Sequence, residues 1–230
     1  MIGIIGAMHE EIVELKNMIS NLEEEKILDI TFYKGTLEGK KIVLVEGGIG
    51  KVNSSVCTTL LIDRFKVDQL IFTGVAGGTN PNIEVGDIVI SNELIQHDFD
   101  CTAFGMKHGE IPRMDTSIFK ADKNLIEIAE KSALELFDTK NIYTGRIVSG
   151  DTFVAESKKI NWLRETFNSE CTEMEGAAVA HVCFLFKIPF VIIRSISDKA
   201  NGNAKTDFQE FVKLAAKNSK NLIVEMMKRI

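Results

Sequence analysis

QLIFTGVAGG, residues 69–78, begins as an apolar run and ends with three glycines in its last five residues. A strand with one face in water alternates apolar and polar positions, whereas near-continuous apolar character marks a strand covered on both faces. Similar runs bounded by glycine or a turn recur at IGIIG (2–6), KIVLVEGG (41–48), DIVIS (87–91), YTGRIVSG (143–150) and FVIIRSIS (190–197). Helical patterns fill the intervals at 9–23, 51–65, 122–136 and 173–186. The clearest is the last in the chain, where Phe208, Phe211, Ala215, Leu222 and Met226 follow three- and four-residue spacing with lysines opposite. Strand and helix alternating in this way predict an α/β fold, a mixed central sheet with helices on both faces.

The 230 residues, 45% of them hydrophobic, suffice for one sizeable core. No Pro- or Ser-rich linker divides them, so residues 1–230 read as one domain. The 27 basic residues are scattered against 33 acidic ones, for a net charge of −6, which leaves no basic stripe for nucleic acid. Cys57, Cys101, Cys171 and Cys183 are far apart and lack metal-site spacing, as expected of reduced thiols in a cytoplasmic protein. The opening MIGIIGAMHEE lacks the basic segment of a signal peptide. The longest apolar run, Ala177 to Phe186, contains His181 and is half of the roughly 20 residues a membrane span needs. A soluble protein is expected.

Ligands of such folds bind beyond the carboxyl ends of the strands. The segments standing there are AMHEE, GGIGK, GVAGG, SGDTFV and SISDKAN. GVAGG and GGIGK fit neither the dinucleotide fingerprint nor the P-loop, so each is a turn that lets backbone approach a ligand or a purely structural one. His9, His97, His108 and His181 show no HExxH or HxH spacing, and no serine sits in G-x-S-x-G. Phe153 is either an aromatic platform or core. The acids Glu11, Glu173, Glu175 and Asp198 all map to one sheet edge. Singly, each could simply favour a helix start. Together, paired carboxylates suit cleavage of a glycosidic or similar bond without a metal, one protonating a leaving group and another activating water.

The segments IGIIGAMHEE, GGIGKVNSS, TGVAGG, VGDIVIS, DCTAFG, IVSGDTFV, TEMEGAAVAHVC and FVIIRSISDKAN occur in an order and spacing similar to the bacterial 5'-methylthioadenosine/S-adenosylhomocysteine nucleosidases. The resemblance spans essentially the whole chain. It implies a nucleoside phosphorylase-like three-layer αβα sandwich, a homodimer, and no cofactor. It makes Glu11 the base that activates water at C1' of the ribose and Asp198 the acid that protonates N7 of adenine. Phe153 would stack on adenine and the backbone of Val154 would bond the purine edge. Met174 and Glu175 would hold the ribose with Glu173 beside them, and Ala76, Gly77 and Ser197 would complete the base and sugar contacts. Met8, Ile49 and Phe208 would receive the 5'-alkylthio group, closed by Phe104 and Pro112 of a second subunit. Val75 and His9 depart from the family's serine and acid.

Three other readings compete. A phosphorylase of this fold would clamp phosphate, usually with arginine, yet neither glycine loop carries one. A nucleoside-binding protein would be expected to have lost an acid. Activity on aminodeoxyfutalosine would use the same residues with a larger 5' substituent, whereas 5'-deoxyadenosine is an expected further substrate of the nucleosidase itself. One local expectation follows from spacing alone. Residues two apart do not share a helix face, so if Glu173 and Glu175 both serve a ligand, TEME is extended and the helix starts near Gly176.

Overall fold

The computed structural model describes residues 1–199 and 204–230. Its first half runs β1 (Ile2–Gly6), α1 (His9–Lys16), β2 (Ser20–Ile27), β3 (Ile30–Leu37), β4 (Lys40–Glu46), α2 (Lys51–Asp63) and β5 (Gln69–Gly78). The second runs β6 (Ile88–Gln96), β7 (Phe119–Lys120), α3 (Lys123–Leu134), β8 (Ile142–Ser149), α4 (Ser157–Phe167), β9 (Ser169–Glu173), α5 (Gly176–Phe186), β10 (Phe190–Asp198) and α6 (Ala204–Met227).

β5 lies at the centre, parallel to β1 on one side and to β10 on the other. Beyond β1 the sheet continues through β4, β3 and β2, the last two pairings antiparallel. On the other side it curls: β10 pairs β6, β6 pairs β8, β8 pairs β9, and β9 returns to the end of β5 at Gly77 and Gly78. Side chains of the central strands alternate between two cores. Ile5, Leu70, Phe72 and Ile192 face Cys57 and Leu61 of α2 and Ala177, Val179 and Ala180 of α5. Ile4, Ile71, Val191 and Ile193 face α1, α3 and α6 through Leu15, Ala129, Leu222 and Met226. This is the expected three-layer αβα arrangement with a mixed sheet, and its double covering explains the unbroken apolar runs.

The helix expected over 9–23 is shorter. α1 ends at Lys16, and SNLEEEKI is the edge strand β2, exposed along nearly its whole length. Its acids pair across the ladder, where Lys34 Nζ lies 3.3 Å from Glu23 and 3.1 Å from Glu25. An edge strand carrying charge on both faces has no apolar period to read, and that charge keeps it from pairing with other chains. The helix expected over 173–186 starts at Gly176, and TEME is the end of β9 plus a turn. Strands β2, β3, β7 and β9 and helix α4 were not expected. Ala200 and Asn201, the end of SISDKAN, lie outside the described residues.

Candidate active site

The ends of β1, β5, β9 and β10 and the loops after β4 and β8 converge on a cavity of about 390 Å³. Glu11, Asp198, Glu173 and Glu175 all line it. So do Ala76, Gly77, Met174 and Ser197, and the more apolar Met8, Ile49, Phe153, Val154 and Phe208. Phe104 and Pro112 do not: both are exposed, Phe104 at 86%, on the segment between β6 and β7. Ala7, Thr152 and Thr172 line it as well and were not singled out by the sequence, and so does Val75, noted there only for its departure from the family's serine.

Glu11 stands in the first turn of α1, and its carboxylate turns back over its own helix start. Oε2 accepts from the N–H of Ala7 at 2.5 Å and of Met8 at 2.9 Å, and Oε1 accepts from Val75 N–H at 3.1 Å. The backbone of Val75 therefore makes this contact whatever its side chain. Burial raises the Glu11 pKa, outweighing Arg194 and the three N–H donors, which lower it. Gly74 leaves it room: a Cβ there would lie 2.6 Å from Glu11 Oε1 and 2.8 Å from Arg194 Nη1.

Asp198 closes β10, 2% exposed, and accepts from Ser197 Oγ at 2.9 Å. Neighbours on a regular strand point to opposite faces, yet both of these line the cavity. The ladder to β5 shifts register between Ile196 and Asp198, and such a bulge re-aims side chains at a strand end.

The paired acids of TEME divide their work. Glu173 accepts from Ser149 Oγ, from Arg194 Nη2 at 2.6 Å, from Glu175 N–H at 3.1 Å, and from Gly176 N–H at 2.8 and 3.0 Å. A carboxylate has about four acceptor sites, so Glu173 is fully committed to capping α5 and pairing a buried guanidinium. Burial raises its pKa, but Arg194 and these donors hold it below the usual range. Glu175 accepts only from Gly50 N–H, at 2.8 Å, among the described residues. Burial, with the adjacent Glu173 charge, pushes it up to about 8.

Arg194 was missed by the sequence reading. It is 1% exposed, lies over the Phe72 ring with Cζ 4.0 Å from the centroid, and is held by the charges of Glu173, Glu11 and Glu175. The available signal was a lone cation inside the apolar run FVIIRSIS, because such a charge is buried only where it is paired. Phe153, 47% exposed, meets Phe208 edge to face at the cavity rim, with centroids 5.8 Å apart. Val154 is anchored behind it in a small core with Ile160, Leu163 and Phe167 of α4. Among the described residues, no three His, Cys, Asp or Glu side chains are grouped so as to hold a metal ion.

Residues 1–228 match the model of the phosphorylase superfamily. The chain is 44% identical to the 5'-methylthioadenosine/S-adenosylhomocysteine nucleosidase of Staphylococcus carnosus, over the full length of both. It superposes on the Neisseria meningitidis nucleosidase of that name, solved with methylthio-immucillin-A, with a TM-score of 0.95 and 41% identity. That match covers 100% of this chain and 99% of the other. The Colwellia psychrerythraea nucleosidase, solved with adenine, gives 0.91 and 39% identity over 98% of this chain and 93% of the other.

Proposed function

The chain belongs to the phosphorylase superfamily and to its 5'-methylthioadenosine/S-adenosylhomocysteine nucleosidases, and on that basis we propose how its cavity carries out their reaction. The enzyme hydrolyses the N-glycosidic bond of methylthioadenosine and adenosylhomocysteine, yielding adenine and the 5-thioribose product. Its place is methionine salvage and the recycling of by-products of S-adenosylmethionine.

The observation that carries the assignment of roles is the unequal commitment of the carboxylates. Glu11 has three N–H donors and one acceptor site left, which suits it to take a proton from water attacking C1'. The C1'–N9 bond breaks with its electron pair passing to adenine, and Asp198 protonates N7 so that the base leaves neutral. The raised pKa of Glu11 improves its match to a base working near neutrality. Glu175, with a single protein donor, is free to hold the ribose hydroxyls with Met174 beside it. Glu173 supports that turn rather than gripping the sugar. Phe153 stacks on adenine, Val154 offers its backbone to the purine edge, and Ala76, Gly77 and Ser197 line the remaining wall. The apolar corner of Met8, Ile49 and Phe208 receives the 5' group.

The enzyme is a homodimer in this reading, with Phe104 and Pro112 reaching the partner's 5' pocket. Support comes from apolar groups left exposed: Val52 and Val56 a turn apart on α2, which begins two residues after Ile49, and Phe104 itself. The expected compartment is the cytoplasm. All four cysteines are free, which fits a reducing one, and no described helix is long and apolar enough to cross a membrane.

Phosphorolysis is disfavoured by Arg194. It is the arginine nearest these acids, and it is buried against Glu173 rather than offered to an anion. The test is release of adenine from methylthioadenosine with and without phosphate. Equal rates are expected; an absolute phosphate requirement would overturn hydrolysis. Turnover of adenosylhomocysteine, 5'-deoxyadenosine and aminodeoxyfutalosine in the same assay ranks the 5' substituents.

A further inference from the structure

Two walls of the cavity are apolar side chains left partly in solvent on loops. Ile49, in the loop after β4, is 52% exposed, and Phe153, in the loop after β8, is 47% exposed. Polar contacts hold these loops to each other and to the segment after β6. Lys51 Nζ donates to Asp98 Oδ1 at 2.7 Å and to Gln96 Oε1 at 3.2 Å. Asp98 Oδ2 accepts from Asp151 N–H at 3.0 Å, and Asp151 Oδ1 accepts from Lys51 N–H at 2.8 Å. The triangle is closed, each residue bonded to the other two.

Lys51, Asp98 and Asp151 do not line the cavity, but each end of the triangle leads to a group that does. Ile49 precedes Lys51 by two residues, and Phe153 follows Asp151 by two. Between Ile49 and Lys51 lies Gly50, whose N–H holds Glu175 Oε1. Gly50 has φ +94°, a conformation open to glycine, and a Cβ there would meet Asp151 Oδ1 at 3.1 Å. The same short segment thus orients the ribose carboxylate and is itself held by the triangle. An isolated exposed ion pair contributes little, whereas a closed network of charge-assisted bonds fixes geometry. Here Lys51 and Asp98 are only 20% and 27% exposed.

We propose that Lys51, Asp98 and Asp151 are positioning residues, a clamp that sets the spacing between the 5' wall at Ile49, the adenine platform at Phe153 and the ribose carboxylate Glu175. The proposal rests on the nucleoside reading of the cavity. Glu11 and Asp198 stand on other elements, so the clamp acts on substrate binding more than on proton transfer.

The experiment uses the full-length enzyme with Lys51→Met, Asp98→Asn, the double variant and Lys51→Arg. Either single change is expected to raise KM for methylthioadenosine about tenfold while moving kcat by no more than about twofold. The double variant should lose less than the two single losses combined, because both break the Lys51–Asp98 bond. Lys51→Arg, which keeps a cation facing Asp98, should recover most of the loss. Amide hydrogen exchange at 47–51 and 150–154 should quicken in Lys51→Met and Asp98→Asn. An unchanged KM, even with lower thermal stability, would overturn the clamp, as would a loss confined to kcat. Should the parent enzyme release no adenine, the nucleoside reading fails; unchanged exchange at the two loops would then refute the clamp on its own.

Discussion

Glu11, Glu173 and Glu175 share the charge of one guanidinium, Arg194, yet differ in what their protein donors leave free. That difference decides which of them can meet a substrate. Glu175 has consequences for pH. Burial, then the adjacent Glu173 charge, raises it from 4.5 to about 8. The folded protein therefore keeps a proton that the unfolded chain has released, and stability falls as pH rises from about 4.5 toward 8. His97 acts oppositely: burial lowers it from 6.5 to about 4, so its contribution increases with pH up to about 6.5 and is then constant. Between pH 6.5 and 8 the thermal midpoint of the free protein is expected to fall with the titration of Glu175. Glu175→Gln should lessen the fall; a variant with the parental slope would clear Glu175 of causing it. Asp198→Asn should stay folded and lose about 10²- to 10⁴-fold in turnover, and wild-type turnover would remove Asp198 from the mechanism. Glu11 and Asp198 were legible in the chain because each follows an apolar strand, and Glu173 and Glu175 because they stand directly before the apolar run that begins at Gly176. Their unequal commitment was not, since it depends on donors such as Gly50 N–H, 125 positions from Glu175.

The turn from β9 into α5 shows how an element is built around one side chain. Glu173 ends the strand, caps the helix through Gly176 N–H, and neutralises a cation brought by β10. Ser149 Oγ, from β8, bonds the Ala177 N–H beside it. Removing one member of a buried pair leaves the other charged and unpaired, which typically costs about 3–5 kcal/mol. Glu173→Gln is expected to lose stability in that range by urea unfolding, with a greater fall than Glu175→Gln. Near-equal losses would contradict the capping role. Element boundaries were read well where an apolar run met glycine, as for β5. They failed at β2, where alternating charge on an exposed edge carries no periodic signal.

Within one chain the cavity lacks Phe104 and Pro112, and these belong to the dimer reading. If Phe104 completes the neighbouring site, Phe104→Ala should raise KM without altering the acids. A mixture refolded from Asp198→Asn and Phe104→Ala chains should then exceed the summed activity of the two. In a mixed dimer one site joins intact acids to an intact Phe104. Activity equal to the sum would place Phe104 outside the partner's pocket. At this level the division of information is plain. Layering, the sheet edge that borders the cavity, and the gathering of Glu11, Glu173, Glu175 and Asp198 at that edge are written locally, because burial on both faces and the ends of apolar runs leave marks in composition and order. The pairing of Arg194 with Glu173, the bulge that turns Ser197 and Asp198 to one side, and the ties between the loops at 50 and 151 had to await the folded chain. Each is an interaction between segments far apart in sequence, and its strength depends on burial and distance, which no single segment specifies.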